Sequence, residues 1–120
     1  MYSEKLLDHF QNPRNVGELP GPALIVEVSN PACGDILRLS ARLAEGRIAE
    51  ARYKVRGCTA SIAAGSALTE WLLGKRLEEL AGFQARWIET ALGGLQPESK
   101  HAAVLCGDGV KRLRTAAAAA

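Results

Sequence analysis

Apolar and polar residues alternate most regularly in the first half of the chain. Leu37, Leu39, Ala41 and Leu43 alternate with Arg38, Ser40 and Arg42; after Glu45-Gly46 the pattern returns, with Ala49, Ala51, Tyr53 and Val55 set among Glu50, Arg52, Lys54 and Arg56. A period of two marks strands with one wet face, and the glycine-containing break predicts an antiparallel hairpin. Upstream, residues 23–29 are rich in Ile and Val and read as a further strand, closed by Asn30-Pro31. Elsewhere the spacing is helical. Ser3 precedes Glu4, Leu6, Leu7 and Phe10, a capped amphipathic arm stopped before Pro13. Thr59 is placed to cap a helix through Ile62, Leu68, Trp71 and Leu72 to Gly74, and small residues in its first half permit close packing. Short helices are predicted over 77–80 and 84–92, a linker over 93–97, and a last helix over 98–115. Gly107 and Gly109 each weaken that helix by about 1 kcal/mol and predict an irregular middle. Residues 116–120 are a low-complexity alanine tail.

The hairpin constrains what lies beside it. Opposed residues share a face, so the two odd-numbered apolar sets must pair with even sums, which excludes a two-residue loop Glu45-Gly46. A three-residue loop, Ala44-Glu45-Gly46, satisfies the parity and sets Leu43 against Arg47, Asp35 against Val55 and Cys33 against Gly57. Cys58 then falls one residue from the position facing Cys33, with Asp35 two residues along on the face of Cys33. Two thiols and a carboxylate gather at one end of the sheet.

Size and composition set the frame for this chemistry. A chain of 120 residues, 48% hydrophobic and 23% charged, predicts one globular domain spanning 1–120. The net charge of +2, without long basic runs, argues against nucleic acid. No stretch reaches the roughly 20 apolar residues of a membrane span, and the start from Met1 to Leu7 lacks the apolar core of a signal peptide. An odd count of three cysteines without disulfide-framework spacing predicts free thiols in a reducing, cytoplasmic compartment.

Free cysteines are commonly small buried hydrophobes. Here Cys33 and Cys58 are each flanked by small residues, in Pro31-Ala32-Cys33-Gly34-Asp35 and Gly57-Cys58-Thr59, and the second sits at a strand-to-helix junction where the helix dipole favours thiolate. Metal sites with sulfur ligands are usually tetrahedral, so further donors are needed, and His9, His101 and Cys106 are the candidates. His9 reads as a surface or cap residue. His101, in the first turn of the last helix, is better placed.

Three segments also resemble a known family. Residues 2–17, from Tyr2-Ser3-Glu4-Lys5 to Asn12-Pro13-Arg14-Asn15-Val16-Gly17, then Asn30 to Asp35, then Gly57-Cys58-Thr59-Ala60-Ser61-Ile62-Ala63, resemble the U-type iron-sulfur cluster assembly scaffolds, IscU, SufU and the N-terminal domain of NifU. Thr69-Glu70-Trp71 and Gly74-Lys75 continue the match. The resemblance implies a compact α+β domain, a three-stranded antiparallel sheet with helices packed on it. It implies a non-enzymatic scaffold that takes iron from an iron donor and sulfur from a cysteine desulfurase, builds a transient 2Fe-2S cluster, and passes it to recipient apo-proteins; family members also bind zinc at the same ligands. Carried over residue by residue, Cys33 and Cys58 match cluster cysteines, Asp35 the aspartate that makes clusters labile, and His101 the histidine preceding the third cysteine.

Two departures qualify the match. The family's third cysteine follows that histidine directly, and here Ala102 stands in its place. Cys106 lies four residues further, on the same helical face but about 6 Å along the axis, and is open to two roles, a displaced ligand or an inert buried thiol. Leu95-Gln96-Pro97-Glu98-Ser99 replaces the family's chaperone-binding Leu-Pro-Pro-Val-Lys, which argues against a dedicated chaperone partner. Three functions follow as expectations: a 2Fe-2S scaffold, a zinc-binding sulfurtransferase accepting sulfur from a desulfurase, and a degenerate homologue that lost cluster assembly with the third cysteine.

Overall fold

The alternating segments become adjacent strands, β2 (Ile36–Ala44) and β3 (Arg47–Arg56), in a computed structural model that describes residues 2–32 and 34–120. The third strand, β1 (Leu24–Ser29), pairs antiparallel with β2 on its other side, giving the order β1-β2-β3. The hairpin differs from expectation in an instructive way. Its turn is the two-residue one, with Glu45 and Gly46 both at positive φ (54° and 75°) and Ala44 opposite Arg47. Parity is restored by a β-bulge. Leu43 faces Ile48 but Arg42 faces Glu50, so Ala49 is an extra residue and every later pair has an even sum. Leu37 therefore faces Val55, Leu39 faces Tyr53 and Ile36 faces Arg56, which brings Asp35 to the level of Gly57, two residues on from the Val55 expected opposite it.

The even register puts Leu37, Leu39, Ala41, Ala51 and Tyr53, with Val26 and Val28, on one buried face. Among the described residues, four α-helices surround or cover it: α1 (Glu4–Gln11), α2 (Thr59–Leu72), α3 (Ala85–Ala91) and α4 (His101–Ala119). Two of them make the contact, α2 across β3 and α4 across β1 and β2, while α1 lies on the outer side of α2. Close approach requires glycine at one point: a Cβ on Gly65 would stand 2.3 Å from the Tyr53 ring. The small residues predicted to allow close packing are thus matched to a specific tyrosine, whose hydroxyl donates to Ile62 O at 2.7 Å.

Helix ends shift by small, explicable amounts. Ser3 does cap α1, accepting from Leu6 N at 3.0 Å, and its own hydroxyl donates to Leu92 O. Thr59 is the first residue of α2, and the cap position is Cys58. Pro97–Ser99 forms a separate 3-10 turn, so α4 begins at His101, and it runs unbroken through Gly107 and Gly109 into the alanine tail as far as Ala119. Packing on the sheet outweighs the poor helix propensity of the two glycines. His9 is not a surface residue. It is buried between α1 and α2, its Nδ1 2.8 Å from Ser66 Oγ.

Candidate metal centre

The site forms where the loop before β2 meets the start of α2. Asn30 shapes that loop: its N–H donates to Asp35 O at 2.9 Å, its carbonyl accepts from Gly34 N at 2.7 Å, and its side-chain oxygen accepts from Ala32 N at 2.9 Å. Gly34, at φ 76°, supplies the left-handed step. Across the sheet end, a Cβ on Gly57 would lie 2.5 Å from Asp35 Cγ, so the bare glycine is the space the carboxylate occupies. Asp35 is only 6% exposed and sits against the start of α2, where no side chain caps the helix.

One oxygen carries nearly all of this. Asp35 Oδ2 accepts from Ser61 Oγ at 2.5 Å, Cys58 Sγ at 3.3 Å and Cys58 N at 3.5 Å, and lies 3.4 Å from His101 Nε2. Burial pushes the carboxyl's pKa up, but the hydrogen bonds from Ser61 and from the Cys58 thiol and backbone, with the charge of His101, hold it below its ordinary value. The carboxylate form is therefore the one built into the fold.

Asp35, Cys58 and His101 form a nearly equilateral triangle of donors. The Cys58 Sγ to His101 Nε2 distance is 3.4 Å, matching the 3.3 and 3.4 Å to Asp35 Oδ2. Donors bound tetrahedrally to one ion stand roughly 3.3 Å apart where both are N or O at about 2.0 Å, and roughly 3.5 Å apart where one is sulfur at about 2.3 Å. The three atoms are thus spaced as three corners of a metal tetrahedron without rearrangement, and one O, one S and one N suit a borderline cation such as iron or zinc.

Of the residues predicted from sequence, the structure brings together Asp35, Cys58 and His101. Cys33 lies outside the described residues. Cys106 stands apart from the triangle: it is 1% exposed within the main core, and burial pushes its thiol up to about 12. Ala102 is wholly buried. Ser61 falls among the small residues expected to allow close packing of α2, yet its hydroxyl lies on Asp35 and 3.4 Å from Cys58 Sγ. Its signal was the spacing of one helical turn from Cys58 at the helix start.

A profile of the NifU-like N-terminal domain matches residues 1–118. The chain belongs to that family. Similar NifU-like relatives include the iron-sulfur cluster assembly scaffold protein IscU of Haemophilus influenzae, 40% identical over 114 residues that cover 92% of this chain and 90% of that one. The IscU 1 scaffold protein of Archaeoglobus fulgidus is 38% identical over 112 residues, covering 93% and 73%. Among solved structures, a candidate SUF-system scaffold protein from Fervidobacterium islandicum superposes with a TM-score of 0.71 at 19% identity, covering 95% of this chain and 94% of that one, and so shares the fold. Among the described residues no helix is long and apolar enough to cross a membrane.

Proposed function

We propose that the chain is a scaffold on which a 2Fe-2S cluster is assembled, from iron and from sulfur released by a cysteine desulfurase, and then handed to apo-proteins in the cytoplasm. The observation that carries this is the gathering of a carboxylate, a thiol and an imidazole, Asp35, Cys58 and His101, in one small group at the start of α2. Cys33 is proposed as the fourth ligand, so that each of two irons receives two protein donors; histidine in place of cysteine on one iron is an arrangement such clusters tolerate. The names of the IscU relatives support the same cargo. In this reading Ala102 leaves His101 to fill the place that sulfur would otherwise take, and Cys106 is a core residue. Asp35 is a hard oxygen donor among softer ones, a choice that favours release of the cargo over permanent storage.

The chemistry required of the protein is modest. Cys58 must bind as thiolate and His101 as neutral imidazole, so the thiol proton that Cys58 Sγ gives Asp35 Oδ2 at 3.3 Å has to leave the site as metal enters. Anaerobic incubation with ferrous iron, cysteine, a desulfurase and an excess of thiol reductant, which supplies the electrons that take persulfide sulfur to sulfide, should give a coloured protein with iron and sulfide in equal amounts, and the colour should move to an apo-ferredoxin on mixing.

A second reading, a zinc-bearing sulfurtransferase, is favoured by one feature. Three donors already at tetrahedral spacing fit a single ion without rearrangement. Reconstitution would then leave a colourless protein with one zinc per chain that stimulates desulfurase turnover. A colourless protein that binds neither metal and stimulates nothing identifies the degenerate homologue.

A further inference from the structure

We infer that Ser61 is a positioning residue of the metal centre: its hydroxyl, held on Asp35 Oδ2, keeps that oxygen aimed at the point that Cys58 and His101 also face. The inference rests on the metal-binding reading above and concerns how that site is held.

Ser61 is the third residue of α2 and only 1% exposed. A serine inside a helix ordinarily returns its hydroxyl to the carbonyl four residues back or turns it to water. This one reaches to a different element, 2.5 Å from a carboxylate oxygen. That distance is in the range of a charge-assisted O–H···O⁻ bond, which assigns the single hydroxyl proton to Asp35 and leaves the lone pairs toward Cys58 Sγ at 3.4 Å.

The other groups on Oδ2 cannot do the same work once metal is present. Cys58 Sγ and His101 Nε2, at 3.3 and 3.4 Å, would themselves become ligands and cease to donate, and Cys58 N, at 3.5 Å, is at the limit of a hydrogen bond. Among the described residues, Ser61 is the donor on that oxygen which is not itself a proposed ligand and which stands at full bonding distance. With it, the carboxylate keeps one orientation in the empty and the loaded site. Without it, no short bond from a described residue holds that oxygen against rotation when metal enters.

The test uses cobalt(II) alone, added to the metal-free protein and followed by its tetrahedral ligand-field bands and its thiolate charge-transfer band. Ser61→Ala should weaken cobalt affinity on the order of ten- to a hundred-fold, the usual cost of losing an outer-shell partner, with the thiolate band kept. In an Asp35→Ala background the same substitution should change affinity little, because Ser61 acts through Asp35. Ser61→Thr and Ser61→Val share a shape and differ in the hydroxyl, so affinity should follow the hydroxyl even where added bulk or a missing contact lowers the thermal midpoint. Unchanged affinity in Ser61→Ala, equal losses in both backgrounds, or identical threonine and valine variants each overturn the role of Ser61 while leaving the metal site standing. Absence of any thiolate band in the unsubstituted protein overturns the metal-binding reading itself and the role of Ser61 with it.

Discussion

Gly57 and Asp35 are a matched pair: the space a Cβ would fill on the glycine is taken by the carboxylate, 2.5 Å from the Cβ position. Gly57→Ala must therefore push Asp35 away from the start of α2. The cost should be about 1–3 kcal/mol, as for other overpacked sites, read as a lower thermal midpoint of the metal-free protein, and cobalt binding should weaken in parallel. A variant as stable and as metal-competent as the parent would show that the loop can move the carboxylate without loss. Cys106 presents the opposite case, a reactive residue type in an unreactive place. Its thiol is 1% exposed and pushed up to about 12 by burial, so at neutral pH it is neither ionised nor accessible. Iodoacetamide should modify the peptide containing Cys58 and spare the one containing Cys106 until the protein is denatured, as peptide mass spectrometry would report. Metal content should also survive Cys106→Ala. Modification of Cys106 in the native protein at the rate of Cys58 would return it to the list of candidate ligands.

Between elements, the decisive contact is α2 on β3, where Gly65 lies against the face of the Tyr53 ring. Gly65→Ala gains about 1 kcal/mol of helix propensity, yet its Cβ would sit 2.3 and 2.4 Å from two ring atoms, and the ring is anchored by its hydroxyl on Ile62 O. Crowding should win, giving a net loss of about 1–2 kcal/mol in urea unfolding; a stabilised variant would mean that the sheet and helix separate easily. The strands themselves were legible in the alternation of Leu37 to Leu43 and Ala49 to Val55, because a half-buried strand writes its pleat directly into the chain. Their register was not. Parity correctly demanded one extra residue, but a loop residue and a bulge satisfy parity equally, and the choice of a two-residue turn with a bulge at Ala49 is made by twist and by neighbours such as Lys75 O, which accepts from Ile48 N at 2.9 Å. The site was legible for the same mixed reasons. Asp35, Cys58 and His101 stand in recognisable motifs, whereas Ser61 and His9 have roles that exist only through partners 26 and 57 positions away.

At the scale of the whole molecule, a chain of polar contacts ties the N-terminal arm to the rest of the domain. After α1 the chain runs along α2, where Arg14 N donates to Ser66 Oγ at 2.9 Å and Asn15 Nδ2 to Thr69 Oγ1 at 3.1 Å, and then reaches β3, where Gly17 N donates to Tyr53 O at 2.9 Å. α1 and α2 thus meet at His9, whose Nδ1 pairs with the same Ser66 hydroxyl and whose Nε2 lies 3.6 Å from Glu70. Burial lowers the pKa of His9 below its ordinary 6.5, and the charge of Arg14 adds to this, against the smaller opposing influence of Glu70 and Asp8. A depressed histidine favours the folded state in its neutral form. Its contribution is fully present above about 6.5, where neither state holds the proton, and it is lost as pH falls through the lowered folded value, because the unfolded chain binds the proton first. Urea midpoints measured from about pH 7.5 down to about 5.5 should therefore decline, with hydrogen exchange rising first in α1 and residues 12–17, since these are held to the domain by the network that protonation disturbs. His9→Gln retains hydrogen-bonding groups but cannot titrate, so its midpoint should vary less across the same range. If the two proteins lose stability in parallel, the acid sensitivity arises elsewhere and the arm is held by its apolar contacts, chiefly buried Leu6, rather than by His9.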